Sequence, residues 1–394
     1  MKNKKILFLL DDIWSMGKGK GVVSLYNLLK QCDNHNSMTI FTTEKYDVDK
    51  DFPNAKIYYF KPIFTIEDKS SKYYKLLLNR LNSLNLNVQY IYKFLTLKNK
   101  KYDLLYCSSS IPIYSSILIK KIFNIKTIHR MYGTFLYSKL GNYIEYLKNL
   151  GEVLMFTTKA DKYIITNDGT YGDKVAKYFN ISEKKVELLR NGVNKYPCLF
   201  SDKEIYTKYG LEKNIFYILS VSRLVNWKRV DRTIKAMNNI KDKNIVFLVL
   251  GEGPEKENLK NMGKKDNIVF LGSKTHNEVR ELMKITDIFI SMYDLSNVGN
   301  PLLEALVEGC AIITYDIGDT ASVIDGKNGI LIPFSVEEDK IVKILQHSIM
   351  ELATNDNQLK ELKKNAWSYA NNNLFDWDTR IKNEINILKT VIES

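Results

Sequence analysis

The chain has 394 residues, 45% hydrophobic and 12% aromatic, with a formal charge of +13. Such a length exceeds one ordinary core, so two soluble globular domains are expected. Cys32, Cys107, Cys198 and Cys310 are scattered without a C-x-x-C pair and the histidines number four, which argues for a reducing compartment and against a disulfide framework or a metal site.

In chain order, Lys2, Lys4 and Lys5 before the apolar Ile6 to Leu10 imitate a signal peptide, but Asp11 and Asp12 end the run. The run is instead a first strand. No stretch is long enough to cross a bilayer, and the expected location is the cytoplasm. A loop containing Gly17, Gly19 and Gly21 then opens into a helix near Val22 to Lys30. It is suited to close approach of a phosphate but is neither G-x-G-x-x-G nor a P-loop. Strands at Met38 to Thr42 and Ile57 to Phe60 precede a long helical region, about Asp68 to Lys98. There lysines such as Lys72, Lys75 and Lys93 interleave with Tyr73, Tyr74, Tyr90 and Tyr92. That is either a basic, aromatic face for anionic lipid or a solvated lysine-rich surface. Leu104 to Cys107, Thr127 to His129, Tyr163 to Thr166 and Val186 to Leu189 continue as strands between helices. His129 and Arg130 are placed at the carboxyl end of their strand, the edge where open α/β sheets bind ligands. Lys195 to Asp202, with Pro197, lacks periodicity and is the expected domain boundary.

The second half starts a new sheet at Ile215 to Val221. Arg223 and Lys228 then flank a strand-to-helix turn, where a forked and a point-charge cation can converge on a diphosphate. Ile245 to Leu250 runs into the tight turn Gly251 to Pro254, and Ile268 to Leu271 into Gly272. Ile288 to Ser291 leads to a loop, to Asn300 as an expected N-cap, and to a helix through Leu306. Gly299 leaves room for a ligand against the backbone, the helix start attracts anions, and Glu304 offers an acceptor from the first turn. The strand Ala311 to Thr314, the segment GILIP, helices over Val336 to Asn372 and a last helix from Trp377 complete an alternating pattern of parallel sheets covered by helices.

The segments SRLVNWK, FLVLGEGPE, IVFLG, NPLLEALVEG and GKNGILIP, in that order and spacing, resemble the C-terminal half of the retaining GT-B glycosyltransferases of family four. RNGV, the glycine-containing first loop and the His129 cluster are similar to the N-terminal half. The resemblance implies two Rossmann-like domains with parallel sheets facing across a cleft. It implies an N-terminal acceptor-side domain over 1–197, a nucleotide-sugar domain over 198–375 and a C-terminal helix, 376–394, returning to the first. By the same resemblance Arg223 and Lys228 hold the donor diphosphate and Glu304 the ribose hydroxyls. Backbone from Gly299 through Asn300 to Leu302 and Leu303 meets diphosphate or sugar, Gly17 and Gly19 close over the phosphates, and His129 stands beside the transferred sugar. The base lies near Gly272, Ser273 and Lys274. One departure concerns the donor sugar: the family's first Glu is here Ser296, and Asn297 replaces the usual Gly, so Ser296, Asn297 or Asn300 would hydrogen-bond it.

The implied activity is transfer of a hexose or N-acetylhexosamine from a UDP- or GDP-sugar to a glycan or lipid-linked acceptor, with no metal and no cofactor beyond the donor. Cations and a helix start would stabilise the leaving diphosphate. The alternatives are a GT-B sugar-nucleotide epimerase and a catalytically silent partner of another transferase. Peripheral contact with an anionic membrane is expected from the basic first half. Nucleic acid is not an expected partner, because the charge is spread over α/β elements without a recognised module.

Overall fold

The computed structural model describes residues 3–11, 23–43, 51–64, 72–196, 198–263, 265–335 and 337–394. Contacts divide the chain into two compact units. The first comprises Met1–Asn167, Tyr171–Arg190 and Trp377–Ser394, the second Asp168–Thr170 and Asn191–Asp376.

The first unit holds β1 (Lys5–Leu9), α1 (Val23–Asp33), β2 (Ser37–Thr42), β3 (Ala55–Tyr59), α2 (Lys72–Thr96), β4 (Leu104–Ser108), α3 (Ile113–Phe123) and β5 (Thr127–Met131). It continues through α4 (Tyr143–Lys148), α5 (Leu150–Thr157), β6 (Lys162–Thr166), α6 (Gly172–Tyr178) and β7 (Val186–Leu189). The strands form one parallel sheet in the order β3-β2-β1-β4-β5-β6-β7. Its strands are apolar on both faces because helices cover both. In β1, Ile6 and Phe8 pack with Leu25 and Leu28 of α1, while Leu7 and Leu9 pack with Tyr90 and Phe94 of α2. The terminal helix, Trp377–Glu393, belongs to this unit. Its Ile381, Leu388 and Val391 join the cluster of α1. Its buried Glu384 accepts from Arg380 Nη1 at 2.7 Å and Tyr106 Oη at 2.5 Å and lies 3.3 Å from Arg130 Nε.

The second unit holds α7 (Asp202–Tyr209), β8 (Phe216–Val221), α8 (Val230–Asn239), β9 (Ile245–Leu250), α9 (Lys256–Met262), β10 (Ile268–Gly272) and α10 (His276–Lys284). Then come β11 (Ile288–Ser291), α11 (Asn300–Val307), β12 (Ala311–Tyr315), β13 (Gly329–Ile332), α12 (Glu338–Thr354) and α13 (Asp356–Asn373). The helix Trp377–Glu393 is therefore α14. The sheet is parallel, ordered β10-β9-β8-β11-β12-β13. Its order reverses between β8 and β11, and the crevice at such a reversal, outside the carboxyl ends of the strands, is where open α/β sheets take ligands. The expected helical stretch Val336 to Asn372 is two helices, parted at Asn355, whose side chain caps α13 by accepting from Gln358 N. The helix α7, which follows the non-periodic stretch, starts with a capping box between Ser201 and Glu204. No described helix is long and apolar enough to cross a membrane.

Candidate functional site

The loop after β8 is held rigid from beneath. Leu224, fully buried, donates its amide to Glu252 O and accepts from Glu255 N. The Gly251 to Pro254 turn can sit this close only without side chains: a Cβ on Gly251, whose φ is +135, would stand 1.8 Å from Ser222 O, and one on Gly253 2.1 Å from Leu224 O. The chain then makes a 3₁₀ turn at Asn226–Lys228 and enters α8 through Arg229 in a left-handed conformation.

Four cations lie on or beside this loop, and two are neutralised by the protein itself. Arg229 pairs with Asp231, Asp294 and Glu338, at 3.0, 3.1 and 2.7 Å. Arg232 pairs with Asp294 at 2.8 Å and Glu338 at 2.6 Å, and donates to Met292 O. Two guanidinium neighbours hold the Glu338 carboxyl down at about 2. Arg223, by contrast, is exposed, and its guanidinium has no carboxylate partner among the described residues. Lys228 has no ion pair among the described residues either. Its Nζ sits 4.1 Å from the Trp227 ring and 3.7 Å from the Tyr293 ring. Burial lowers its pKa to about 7, although the Asp168 carboxylate pulls in the other direction. An ammonium desolvated between aromatic faces gains charge stability from an added anion.

The loop after β11 meets the same edge through Tyr293, whose hydroxyl donates to Val221 O at 3.0 Å. Here the polar side chains turn inward. Asn297 is 1% exposed; its Oδ1 accepts from Tyr293 N and its Nδ2 donates to Tyr315 O. Asn297 is thus a knot of the loop and not a sugar ligand through its side chain, a correction to the expectation above. Ser296 donates its hydroxyl to Asp168 O, and Asp168 Oδ1 accepts from the amide and hydroxyl of Thr170. Asn300 accepts from Asn191 Nδ2 at 2.8 Å and is the first residue of α11; Gly299 is the cap, and no side chain caps the helix. The amides of Leu302 and Leu303 already bond Gly299 O. Their side chains are buried, so of the expected anion-binding backbone only Gly299 and Asn300 are not consumed by the helix.

Glu304 projects from α11 toward the loop after β10. It is 13% exposed in its side chain and lies 3.0 Å from His276 Nε2, whose pKa it raises. Ser273 is exposed on that loop, and Lys274 lies 5.7 Å from the Tyr209 ring. The second unit therefore gathers Arg223, Lys228, Ser273, Lys274, Ser296 and Gly299 on loops, and Asn300 and Glu304 on α11, at one sheet edge. Among the residues that sequence reasoning missed are His276, Trp227, Tyr293 and Asp168. His276 had a signal, since it follows Thr275 of a T-x-x-E capping box at a strand's carboxyl end.

His129 belongs to the first unit and does not occupy an exposed strand end. β5 runs two residues beyond it, pairing His129 with Cys107 on one side and Tyr163 on the other. The ring is 2% exposed and Nδ1 lies 3.0 Å from Met155 O. Burial lowers its pKa to about 4, so the neutral ring fills the core. Arg130 faces the other side, toward Glu384. Gly17 and Gly19 lie outside the described residues.

The sequence pattern of the Glycosyl transferases group 1 matches residues 201–368, which contain the whole loop set of the second unit. Over that segment the chain is similar to the family; it is a glycosyltransferase and has the GT-B fold. It is 22% identical over 304 residues to an uncharacterized glycosyltransferase of Methanocaldococcus jannaschii, covering 74% of this chain and 76% of the relative. Its fold is similar to that of Anabaena HepE in complex with UDP-glucose, with a TM-score of 0.72, 16% identity, and 98% and 100% of the two chains covered. It is also similar to WaaG, a glycosyltransferase involved in lipopolysaccharide biosynthesis, with a TM-score of 0.70, 15% identity, and 97% and 99% covered.

Proposed function

We propose that this glycosyltransferase takes a hexose or N-acetylhexosamine from a nucleotide-diphosphate sugar, UDP-linked before GDP-linked, and passes it with retention to a glycan or lipid-linked acceptor of cell-surface polysaccharide or glycoconjugate synthesis. The observation that carries the reading is the pair Arg223 and Lys228, which no carboxylate among the described residues pairs with, on a loop whose other cations are paired. The UDP-glucose bound by HepE supports a uridine donor.

Breaking the bond from the anomeric carbon to the phosphate oxygen leaves an oxocarbenium-like sugar and an anionic diphosphate. Arg223 contributes forked hydrogen bonds to that diphosphate, Lys228 a point charge in a desolvated setting, and the amides of Gly299 and Asn300 the positive end of α11. Retention follows when the acceptor attacks from the departing face and the diphosphate oxygen takes its proton. Glu304, steadied by His276, accepts hydrogen bonds from the ribose. With Asn297 committed to the loop, the Ser296 hydroxyl, which can still accept beside its bond to Asp168 O, and Asn300 Nδ2, which can still donate, serve the donor sugar.

Screening UDP- and GDP-sugars for protection against thermal unfolding identifies the donor, because a ligand that binds only the folded state raises its stability by mass action. Arg223→Ala and Lys228→Ala then lose transfer at least about a hundredfold while still folding cooperatively, and the anomeric configuration of the product reports retention. Wild-type transfer in both variants would sink the assignment.

A further inference from the structure

We propose that the outward face of α2, continued onto α4, docks the first unit onto an anionic lipid bilayer. An exposed helix face ordinarily carries polar side chains. On α2 it carries Leu77, Leu81, Leu84 and Val88 through the middle, with Tyr74 and Tyr92 toward the ends, all exposed. The spacing of three and four places them in one stripe on a helix of 25 residues, about 37 Å long. The stripe is not a misplaced core face. Leu86, Tyr90 and Phe94 on the opposite side of the same helix are buried against the sheet. Val88 is 64% and Tyr92 69% exposed. The apolar surface extends to α4, where Arg80 of α2 donates to Leu147 O and Tyr143, Ile144 and Leu147 are exposed, Tyr143 at 80%. A contiguous apolar face of this kind marks an interaction surface.

Charge selects the occupant. From Lys69 to Tyr102 the sequence has no Asp or Glu. Arg80 is exposed beside the stripe where it meets α4, and exposed Lys98 and Lys101 follow the carboxyl end of the helix, while Lys93 lies over the Tyr58 ring. Two copies of the chain meeting by this face would bring those cations together. Anionic headgroups complement them, leucines enter the acyl boundary, and tyrosines suit the level between. No described helix can span the membrane, so the contact is peripheral. It stands independently of the donor reading.

The test uses the full chain and sedimentation with vesicles of phosphatidylcholine alone or with about a third phosphatidylglycerol. The chain is expected to pellet with the anionic vesicles, less so at high salt. A triple variant, Leu77→Gln, Leu84→Gln and Val88→Gln, is expected to partition at least about tenfold less with unchanged melting, since these side chains are already in water. Failure to pellet, equal pelleting with neutral vesicles, or unchanged partition of the variant would overturn the proposal. So would a wild-type dimer that the variant splits, which would give the face to a second copy.

Discussion

Lys228 makes a demand that can be measured without knowing the acceptor. Its ordinary pKa is 10.5, and burial between Trp227 and Tyr293 lowers it to about 7. The gap of 10.5 minus 7 is about three and a half decades. At about 1.4 kcal/mol each, the empty site disfavours the ammonium by about 5 kcal/mol. The unfolded chain holds this proton more tightly than the folded one. The handicap is therefore full below about pH 7 and is relieved as pH rises from about 7 toward 10.5. Lys228→Met keeps the bulk and removes the charge, so at pH 6 to 7 it is expected to stabilise the donor-free protein by about 2 to 5 kcal/mol. A diphosphate reverses the preference and draws the proton back. At pH 8 the empty site is about one-tenth protonated, so binding of a nucleotide-diphosphate sugar takes up about 0.9 proton, and affinity falls about fiftyfold between pH 7 and 9. Calorimetry of the donor in buffers of different ionisation enthalpy counts that proton directly. No uptake at pH 8, or the same uptake in Lys228→Met, would refute the reasoning.

Glu304→Ala is expected to weaken nucleotide binding at least about tenfold in a thermal-shift titration with UDP. His276→Ala, which leaves the carboxylate without its neighbour, should weaken it less, with the loss growing below the raised His276 pKa where wild type is charged. Gly253→Ala pushes a methyl within 2.1 Å of Leu224 O; a loss of about 2 to 4 kcal/mol in urea unfolding, with loss of donor binding, is expected. Glu384→Ala strands Arg130 and Arg380, both 1% exposed, and should cost the first unit about 3 to 5 kcal/mol. A melting temperature within a degree or two of wild type would count against that account of how α14 is held.

Short apolar runs ending in glycine or polar residues gave away the strands because parallel strands covered on both faces must be apolar throughout. β7 and β9 lie where Val186 to Leu189 and Ile245 to Leu250 predict them. Strand ends were less legible. β5 continues through Arg130 and Met131 because Arg130 is neutralised by Glu384, which lies on α14, far along the chain. That single long-range pair turns an apparent polar edge into core and takes His129 inside with it.

The candidate site shows the same division. Local sequence determined that Arg223 and Lys228 flank one strand-to-helix turn, that Gly251 to Pro254 form a tight turn, and that Glu304 follows a helix start. Local sequence could not separate those two cations from Arg229 and Arg232, which look equivalent on the same segment. The tertiary structure separates them, because Asp294 and Glu338 reach Arg229 and Arg232 and no described carboxylate pairs with Arg223 or Lys228. It likewise sends Asn297 into the loop and Ser296 onto Asp168 O. A residue's type and its neighbours in sequence set which groups stand at a loop; whether a charge there is free to meet a ligand depends on partners brought from elsewhere in the chain, and only folding supplies those.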